Sequence, residues 1–225
     1  PVFLTVRSGL TTLVERLAAG LDVRLGHEVQ ELDGDIVLTV PAAAAARLLE
    51  QRAPAAADEL RAMRTASVGM VLLAYDERAV SRPLDATGFV VPRVEGKLLT
   101  ACSFATTKWP HWKVPGRVVL RASVGRSGDE RWQGLDDDAL VERVHEELVE
   151  MVGLREPPVD ACVRRWVDAF PQYDVGHLAR VERVERALPP GVVVAGAAYR
   201  GLGLPACIRQ AQVAAARLLE EKSRS

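Results

Sequence analysis

Near the C-terminus, Val192-Val193-Val194 run into Ala195-Gly196, and further on Gly201 and Gly203 bracket Leu202 ahead of Pro205. Three successive valines suit a strand buried on both faces. The glycines allow a tight path and the close approach of a ligand to the backbone. Pro205 opens a helix where its missing N–H is not needed. A helix N-terminus presents free N–H groups and roughly half an elementary positive charge, so this turn is chemically suited to an anion. A lone glycine turn is a weak signal, and on spacing alone a plain strand-to-helix connection is the favoured reading.

Three other stretches carry chemically capable residues. In Lys108-Trp109-Pro110-His111-Trp112 two tryptophans could stack on a flat ligand, or anchor the loop on the core; spacing favours the anchor. In Phe170-Pro171-Gln172-Tyr173-Asp174-Val175-Gly176-His177, Asp174 could cap the following helix and His177 could be a base. No Ser, Cys or acid stands near enough in sequence to make a triad legible, so a cap and a surface histidine are preferred. Arg7-Ser8-Gly9-Leu10 leads into a helix N-terminus and could be another anion site, with a plain helix cap the favoured reading.

Other classes of chemistry find little support. His27, His111, His145 and His177 are isolated in sequence, and Cys102, Cys162 and Cys207 form no CxxC pair, so neither zinc nor a disulfide framework is expected. The cysteine usage points to a reducing cytoplasm. Lys+Arg 29 against Asp+Glu 30 gives a formal charge of −1, without the basic excess of a nucleic-acid binder. No apolar run approaches the roughly 20 residues that span a bilayer, and no signal peptide is recognisable. The chain starts at Pro1 rather than methionine and reads as the interior of a longer protein.

The elements that must position these stretches follow from periodicity and punctuation. A short strand is expected over Val2–Val6. Leu10, Leu13, Val14, Leu17 and Leu21 recur at helical spacing after Ser8, with Thr12 and Glu15 as a capping box. A short strand and turn is expected over Asp22–Glu31, then a strand over Asp35–Val40. Helices follow from the alanine tract at 42–49 and again over 55–63. Strands are expected over Ser67–Tyr75, Gly88–Pro92, Lys97–Phe104 and Arg117–Val124, with Glu95-Gly96 turning a hairpin. Asp136, Asp137 and Asp138 open a helix that runs to Val152 and ends at Gly153. A strand over Val159–Val167, a helix over Val175–Leu188 and a final helix from Pro205 to Glu221 complete a mixed α/β chain with an antiparallel sheet in its middle.

Taken in order, FLTVRSGLTTLVERLA, TGFVVPR, SFATTKWPHW, RRWVDAFPQYDVGH and VVVAGAAYRGLGLPACIRQAQVAAARLL resemble the C-terminal half of the oxygen-dependent protoporphyrinogen oxidases, in the bacterial branch that includes coproporphyrinogen III oxidase. The likeness runs from Val2 to about Leu219. It implies an α/β (α+β), amine-oxidase-like FAD flavoprotein: an antiparallel-sheet substrate domain, plus the C-terminal strand and helix of the FAD domain. On that reading residues 1–32 and 33–65 belong to the FAD domain and its crossover, 66–170 to the substrate domain, and 171–225 to the return into the FAD domain. The opening dinucleotide fingerprint would lie upstream of Pro1.

The resemblance also implies roles. The backbone of Gly201, Leu202, Gly203 and Leu204 lies along the flavin end of FAD. Trp166 stands beside the cofactor, Val29 makes a backbone contact at the adenine end, and Gly88, Phe89 and Val90 line the tetrapyrrole pocket. The implied chemistry is FAD-dependent oxidation of a porphyrinogen with O₂ as acceptor, in haem biosynthesis. It needs neither a metal nor a catalytic acid–base pair. Lys108, Arg93 and Arg200 are cations available to substrate propionates by charge and place, with surface solvation the plainer reading of each. The Ala-, Arg- and Val-rich composition suggests an actinobacterial type of source and the coproporphyrin variant. The 5% aromatic content suggests an aliphatic pocket. A cytoplasmic enzyme is implied, with a homodimer and a peripheral membrane contact through a region outside this chain left open.

The chain departs from the family pattern at Ser8, Ala197 and Ala211, and where the family usually has a strand pair between Leu32 and Asp33 there is almost nothing: either that hairpin is deleted or residues are missing from the numbering. Two alternatives remain beside the porphyrinogen oxidase: an amine oxidase or desaturase relative, and a non-catalytic remnant that binds a tetrapyrrole or a partner.

Overall fold

A computed structural model describes residues 4–224. The chain divides into two compact units, Pro1–Glu31 and Leu32–Ser225.

In the first unit, helix α1 (Thr11–Ala18) forms where the leucine spacing puts it, but without the expected capping box. Leu10 stands at the N-cap with no side-chain bond, and Ser8 Oγ meets Thr12 Oγ1 instead, at 2.9 Å. No strand forms over Asp22–Glu31. Of the strand expected over Val2–Val6, Val2 and Phe3 lie outside the described residues, and Leu4–Val6 are irregular.

The second unit opens with β1 (Ile36–Leu38), α2 (Ala42–Leu49) and α3 (Pro54–Arg61). Then come β2 (Thr65–Asp76), β3 (Gly88–Val90), β4 (Leu99–Phe104), the short α4 (Ala105–Lys108), β5 (Arg117–Val124), α5 (Asp137–Val152) and β6 (Asp160–Pro171). It closes with α6 (His177–Ala187), β7 (Val192–Val194) and α7 (Leu204–Arg224).

Strands β2 to β6 form one antiparallel sheet in the order β3-β4-β5-β2-β6. Its two faces differ because side chains alternate along a strand. On β2, Val71, Leu73 and Tyr75 are fully buried, while Val68, Met70 and Leu72 on the other face are only partly covered. The buried face packs on α5 through Leu140, Val144, Leu148 and Val152, spaced four residues apart on one helix stripe. Each such side chain contributes roughly 1.5–3 kcal/mol on burial. Asp136 caps α5 by accepting the Ala139 N–H at 2.8 Å, as its place before the helix predicts. Glu147, buried on the same helix, accepts the Leu98 and Leu99 N–H groups at 2.9 and 2.8 Å and so fixes the start of β4. The expected hairpin forms between β3 and β4, with Gly96 in the left-handed region at φ 66°.

The remaining strands make a separate layer. β7 pairs parallel with β1, Ile36 opposite Val192 and Leu38 opposite Val194, although the whole antiparallel sheet lies between them in sequence. Both faces of this pair are covered: Val37 and Val193 pack with Ala214 and Leu218 of α7, and Leu38 and Val192 with α2, α3 and α6. That double coverage is why the strand reads as three consecutive valines rather than alternating.

Candidate functional site

The turn from Gly196 to Leu204 is held by side chains from outside it. Tyr173 donates its hydroxyl to Ala197 O at 2.7 Å, and the Tyr173 hydroxyl oxygen accepts the Gly201 N–H at 2.9 Å. Its ring stacks on His177, with centroids 3.8 Å apart and planes 12° from parallel. His177 is buried and lies with Nε2 2.7 Å from Tyr199 O. A carbonyl can only accept, so this nitrogen carries the proton. On the opposite side, Gln210 of α7 accepts the Arg200 N–H at 3.1 Å and donates to Gly201 O at 3.3 Å.

These bonds orient the peptide planes. In a trans peptide the C=O and the following N–H point in opposite directions. Gly201 O faces Gln210, so the Leu202 N–H faces away from α7. Gly203 O accepts from the Ala206 and Cys207 N–H groups of the first helical turn, so the Leu204 N–H also points outward. Among the described residues the N–H groups of Leu202, Gly203 and Leu204 have no acceptor within the chain. Gly201 sits at φ 134°, and a Cβ there would stand 2.7 Å from Ala206 Cβ. A Cβ on Gly203 would meet only Pro205 Cδ at 3.8 Å, so that position is open.

The second feature is a cleft of about 350 Å³ on the uncovered face of the antiparallel sheet. Val68, Met70, Trp166 and Phe170 give it an apolar floor, with Ser123, Arg126 and Gln172 at its polar edge. A bulge shapes it. Ala66 pairs with Phe170 and Val68 with Trp166, so Ser67 alone stands opposite Val167, Asp168 and Ala169. Asp168 takes φ 49°, and Ser67 Oγ accepts its N–H at 3.0 Å. The bulge brings Trp166 and Phe170, four residues apart in sequence, opposite β2 residues only two apart. Both rings remain 45% exposed. The neighbours Gln172 and Tyr173 link the two features, since one lines the cleft and the other holds the glycine turn.

The other residues expected to act are distributed as follows. Gly88 and Val90 lie on β3, at the edge strand farthest from Trp166; Val90 stands opposite Ala101, which lines the cleft. The Phe89 ring packs edge-on to Phe104, at 6.0 Å, against the sheet core. Val29 is exposed in the first unit. Arg200 forms an ion pair with Glu185 at 2.6 Å, Arg93 donates to Ser127 O at 2.8 Å, and Lys108 lies over the Trp109 ring at 5.7 Å. Trp109, His111 and Trp112 pack on one another, with Trp112 exposed rather than anchored in the core.

Two expectations from the motif are corrected. Asp174 does not cap α6 with its side chain: Gly176 is the N-cap, and the carboxylate pairs with Arg64, whose guanidinium holds it below the usual carboxylate range. His177 is a buried structural donor, not a surface residue. Gln210, which completes the turn, went unrecognised because a glutamine in a helix interior carries no local signal.

An α/β layer ending in a strand, a glycine turn with free amides and a helix, joined to a sheet with an apolar open face, makes this an α/β chain with the features of a ligand-binding protein. Residues 34–219 match the family described as flavin containing amine oxidoreductase. The chain is 34% identical to coproporphyrinogen III oxidase of Bacillus subtilis over 236 residues, covering 94% of this chain and 50% of that protein. It is 36% identical to the Mycobacterium tuberculosis protein of the same name, over 82% of this chain and 40% of that one. A crystal structure from Exiguobacterium sp. 255-15, provisionally named a protoporphyrinogen oxidase, superposes with TM-score 0.83 at 31% identity, covering 98% of this chain and 53% of that one. The chain belongs to the flavin-containing amine oxidoreductases, and it spans about half the length of the curated relatives it matches.

Proposed function

We propose that this chain is the substrate-sheet and C-terminal return portion of an FAD- and O₂-dependent porphyrinogen oxidase of haem biosynthesis, with coproporphyrinogen III as substrate. Segments 1–32 and 33–65 then serve the FAD domain, 66–170 the substrate domain, and 171–225 the return. Cytoplasmic location and O₂ as electron acceptor are part of the same reading. The observation that carries it is the set of N–H groups without an acceptor in the chain at Leu202, Gly203 and Leu204, beside a Gly203 position with room for close approach. The names of the Bacillus and Mycobacterium relatives support the substrate.

The residues present fit a flavin. Three amide donors and the N-terminal end of α7, a helix of 21 residues, suit the carbonyl-bearing edge of a ring that gains negative charge on reduction. A bound flavin supplies hydride acceptance from carbon and electron transfer to dioxygen. The chain's own residues bind and orient. Leu202, Gly203 and Leu204 would hold the flavin edge through backbone N–H groups. Trp166, Phe170, Met70 and Val68 would lie against a flat macrocycle and keep water from it. Val29 would contact the adenine end, and Gly88, Phe89 and Val90 the tetrapyrrole side.

FAD titration of the purified protein, followed by oxygen uptake and porphyrin fluorescence on adding coproporphyrinogen III, tests the proposal. Flavin spectral changes and a rise in porphyrin fluorescence are expected. Porphyrin binding without flavin binding would support the non-catalytic remnant instead. Oxidation of an amine but not of the porphyrinogen would support the amine oxidase relative.

A further inference from the structure

Arginines are common in this chain, and many engage carboxylates: Arg61, Arg64, Arg117, Arg131, Arg143, Arg165, Arg180, Arg183, Arg200 and Arg217 all do so. Two exposed arginines on the open face of the sheet are different. Arg164 of β6 stands directly opposite Met70, and Arg121 of β5 directly opposite Leu72. Among the described residues neither has an acidic partner. Arg121 Nε lies 3.2 Å from Met70 Sδ, and Arg164 Nη1 donates to its neighbour's carbonyl, Val163 O, at 2.9 Å. Both therefore border Met70, which lies in the cleft wall.

The same face carries two acids, Asp76, which pairs with Arg117, and Asp160, opposite Ala74; among the described residues neither forms an ion pair with Arg121 or Arg164. The positions around the two arginines that share it by register are Val68, Met70, Leu72, Trp166, Cys162, Ser123, Ala101, Ser103, Gly88 and Val90. Arg121 and Arg164 flank β2 from either side, two strand spacings across and two residues along. That separates their Cα atoms by roughly 12 Å, and each side chain can swing several ångströms from there. Arg126 adds a third cation at the cleft edge; its Nη2 donates to Leu99 O at 3.3 Å, while its Nε is buried without a partner. An apolar strip bordered by unpaired guanidinium groups is complementary to a flat apolar molecule with carboxylates on its rim. Guanidinium binds carboxylate through two parallel N–H donors, which adds direction to the charge.

We infer that Arg121 and Arg164 are the carboxylate-binding residues for a polyanionic tetrapyrrole lying on the open sheet face, with Met70 and Trp166 beneath its ring. This rests on the porphyrinogen reading and moves the cation assignment away from Arg200 and Arg93, which are engaged elsewhere. It also places the specificity for carboxylate number on the sheet rather than on the glycine turn.

The test is binding of coproporphyrin III, a tetracarboxylate, and of its tetramethyl ester to the wild-type protein and to Arg121→Gln and Arg164→Gln. Porphyrin absorbance and tryptophan fluorescence report binding. Each substitution is expected to weaken coproporphyrin binding about tenfold, the loss of one charge-assisted contact, and to leave ester binding unchanged. If wild type binds coproporphyrin and both variants bind it equally well, the arginine assignment is overturned and the porphyrinogen reading stands. If wild type binds neither porphyrin, the porphyrinogen reading itself fails, and the assignment with it.

Discussion

Gly201 and Gly203 stand two residues apart in one motif, yet alanine at each should do opposite things. At Gly201 the backbone has φ 134°, and a Cβ would lie 2.7 Å from Ala206 Cβ. The unfavourable backbone region costs about 1–3 kcal/mol. The overlap with a helix side chain adds a similar amount, because Ala206 cannot swing aside. Gly201→Ala should therefore lose about 2–6 kcal/mol. For a chain of this size that lowers Tm by roughly 4–24 °C, at about 2–4 °C per kcal/mol. At Gly203 the new methyl meets only Pro205 Cδ at 3.8 Å, and φ is not positive. Gly203→Ala should stay within about 0.5 kcal/mol of wild type. Its methyl would instead occupy the space beside the free Leu204 N–H, and FAD affinity should fall at least about tenfold, or 1.4 kcal/mol. Thermal unfolding and FAD titration of the two variants separate these effects. A Gly203→Ala protein that melts early, or one that melts normally and binds FAD like wild type, would refute the reasoning.

Other substitutions probe the supports. Glu147→Ala leaves the buried Leu98 and Leu99 N–H groups without acceptors, and should cost about 2–5 kcal/mol in denaturant unfolding. Tyr173→Phe keeps the stack on His177 but removes the bridge between Ala197 O and Gly201 N; the Gly201 amide should exchange roughly 5–30-fold faster by NMR, matching a loss of about 1–2 kcal/mol. His145, 3.1 Å from Tyr75 Oη, has its pKa lowered by desolvation. A depressed folded-state value means that its neutral form suits the fold: the stabilisation is present above the unfolded pKa near 6.5 and is lost as pH falls towards the lowered value. Stability measured from pH 7 down to pH 5 should decline, and His145→Gln should flatten that slope.

The sequence showed most of the elements because their signals are local. Alanines at 42–46, aspartates at 136–138 and alternation in β2 depend on neighbours within a few residues, and the helices and strands formed there. The errors fell where tertiary contacts decide. β6 continues to Pro171 rather than ending near Val167, because Ser67 holds a bulge that no spacing rule in RRWVDAFP encodes. Thr12 and Glu15 have capping-box spacing, but the helix starts at Leu10 without it. Asp174 has the type and place of a cap, yet Arg64, 110 residues earlier, takes its carboxylate. The cations were chosen by position in the chain; the register that sets Arg121 and Arg164 beside Met70 exists only once β5 and β6 pair with β2.

The same logic explains why the chemically rich motif holds so little reactive chemistry. Tyr173, His177 and Gln210 look like an acid, a base and a polar contact, yet each is spent on a backbone group. Together they engage the carbonyls of Ala197, Tyr199 and Gly201. A peptide plane held by its carbonyl cannot rotate, so the N–H of the next residue is fixed in direction: Gly201 O, held by Gln210, fixes the Leu202 N–H, and Gly203 O, held by the first turn of α7, fixes the Leu204 N–H. Fixed, outward amides need no reorganisation when negative charge develops nearby, which is the condition for effective electrostatic stabilisation. The side chains therefore contribute through geometry, and the turn would offer a flavin amide donors already in place. That also accounts for Ala197: its carbonyl is the part engaged, and Tyr173 reaches it whatever side chain stands there.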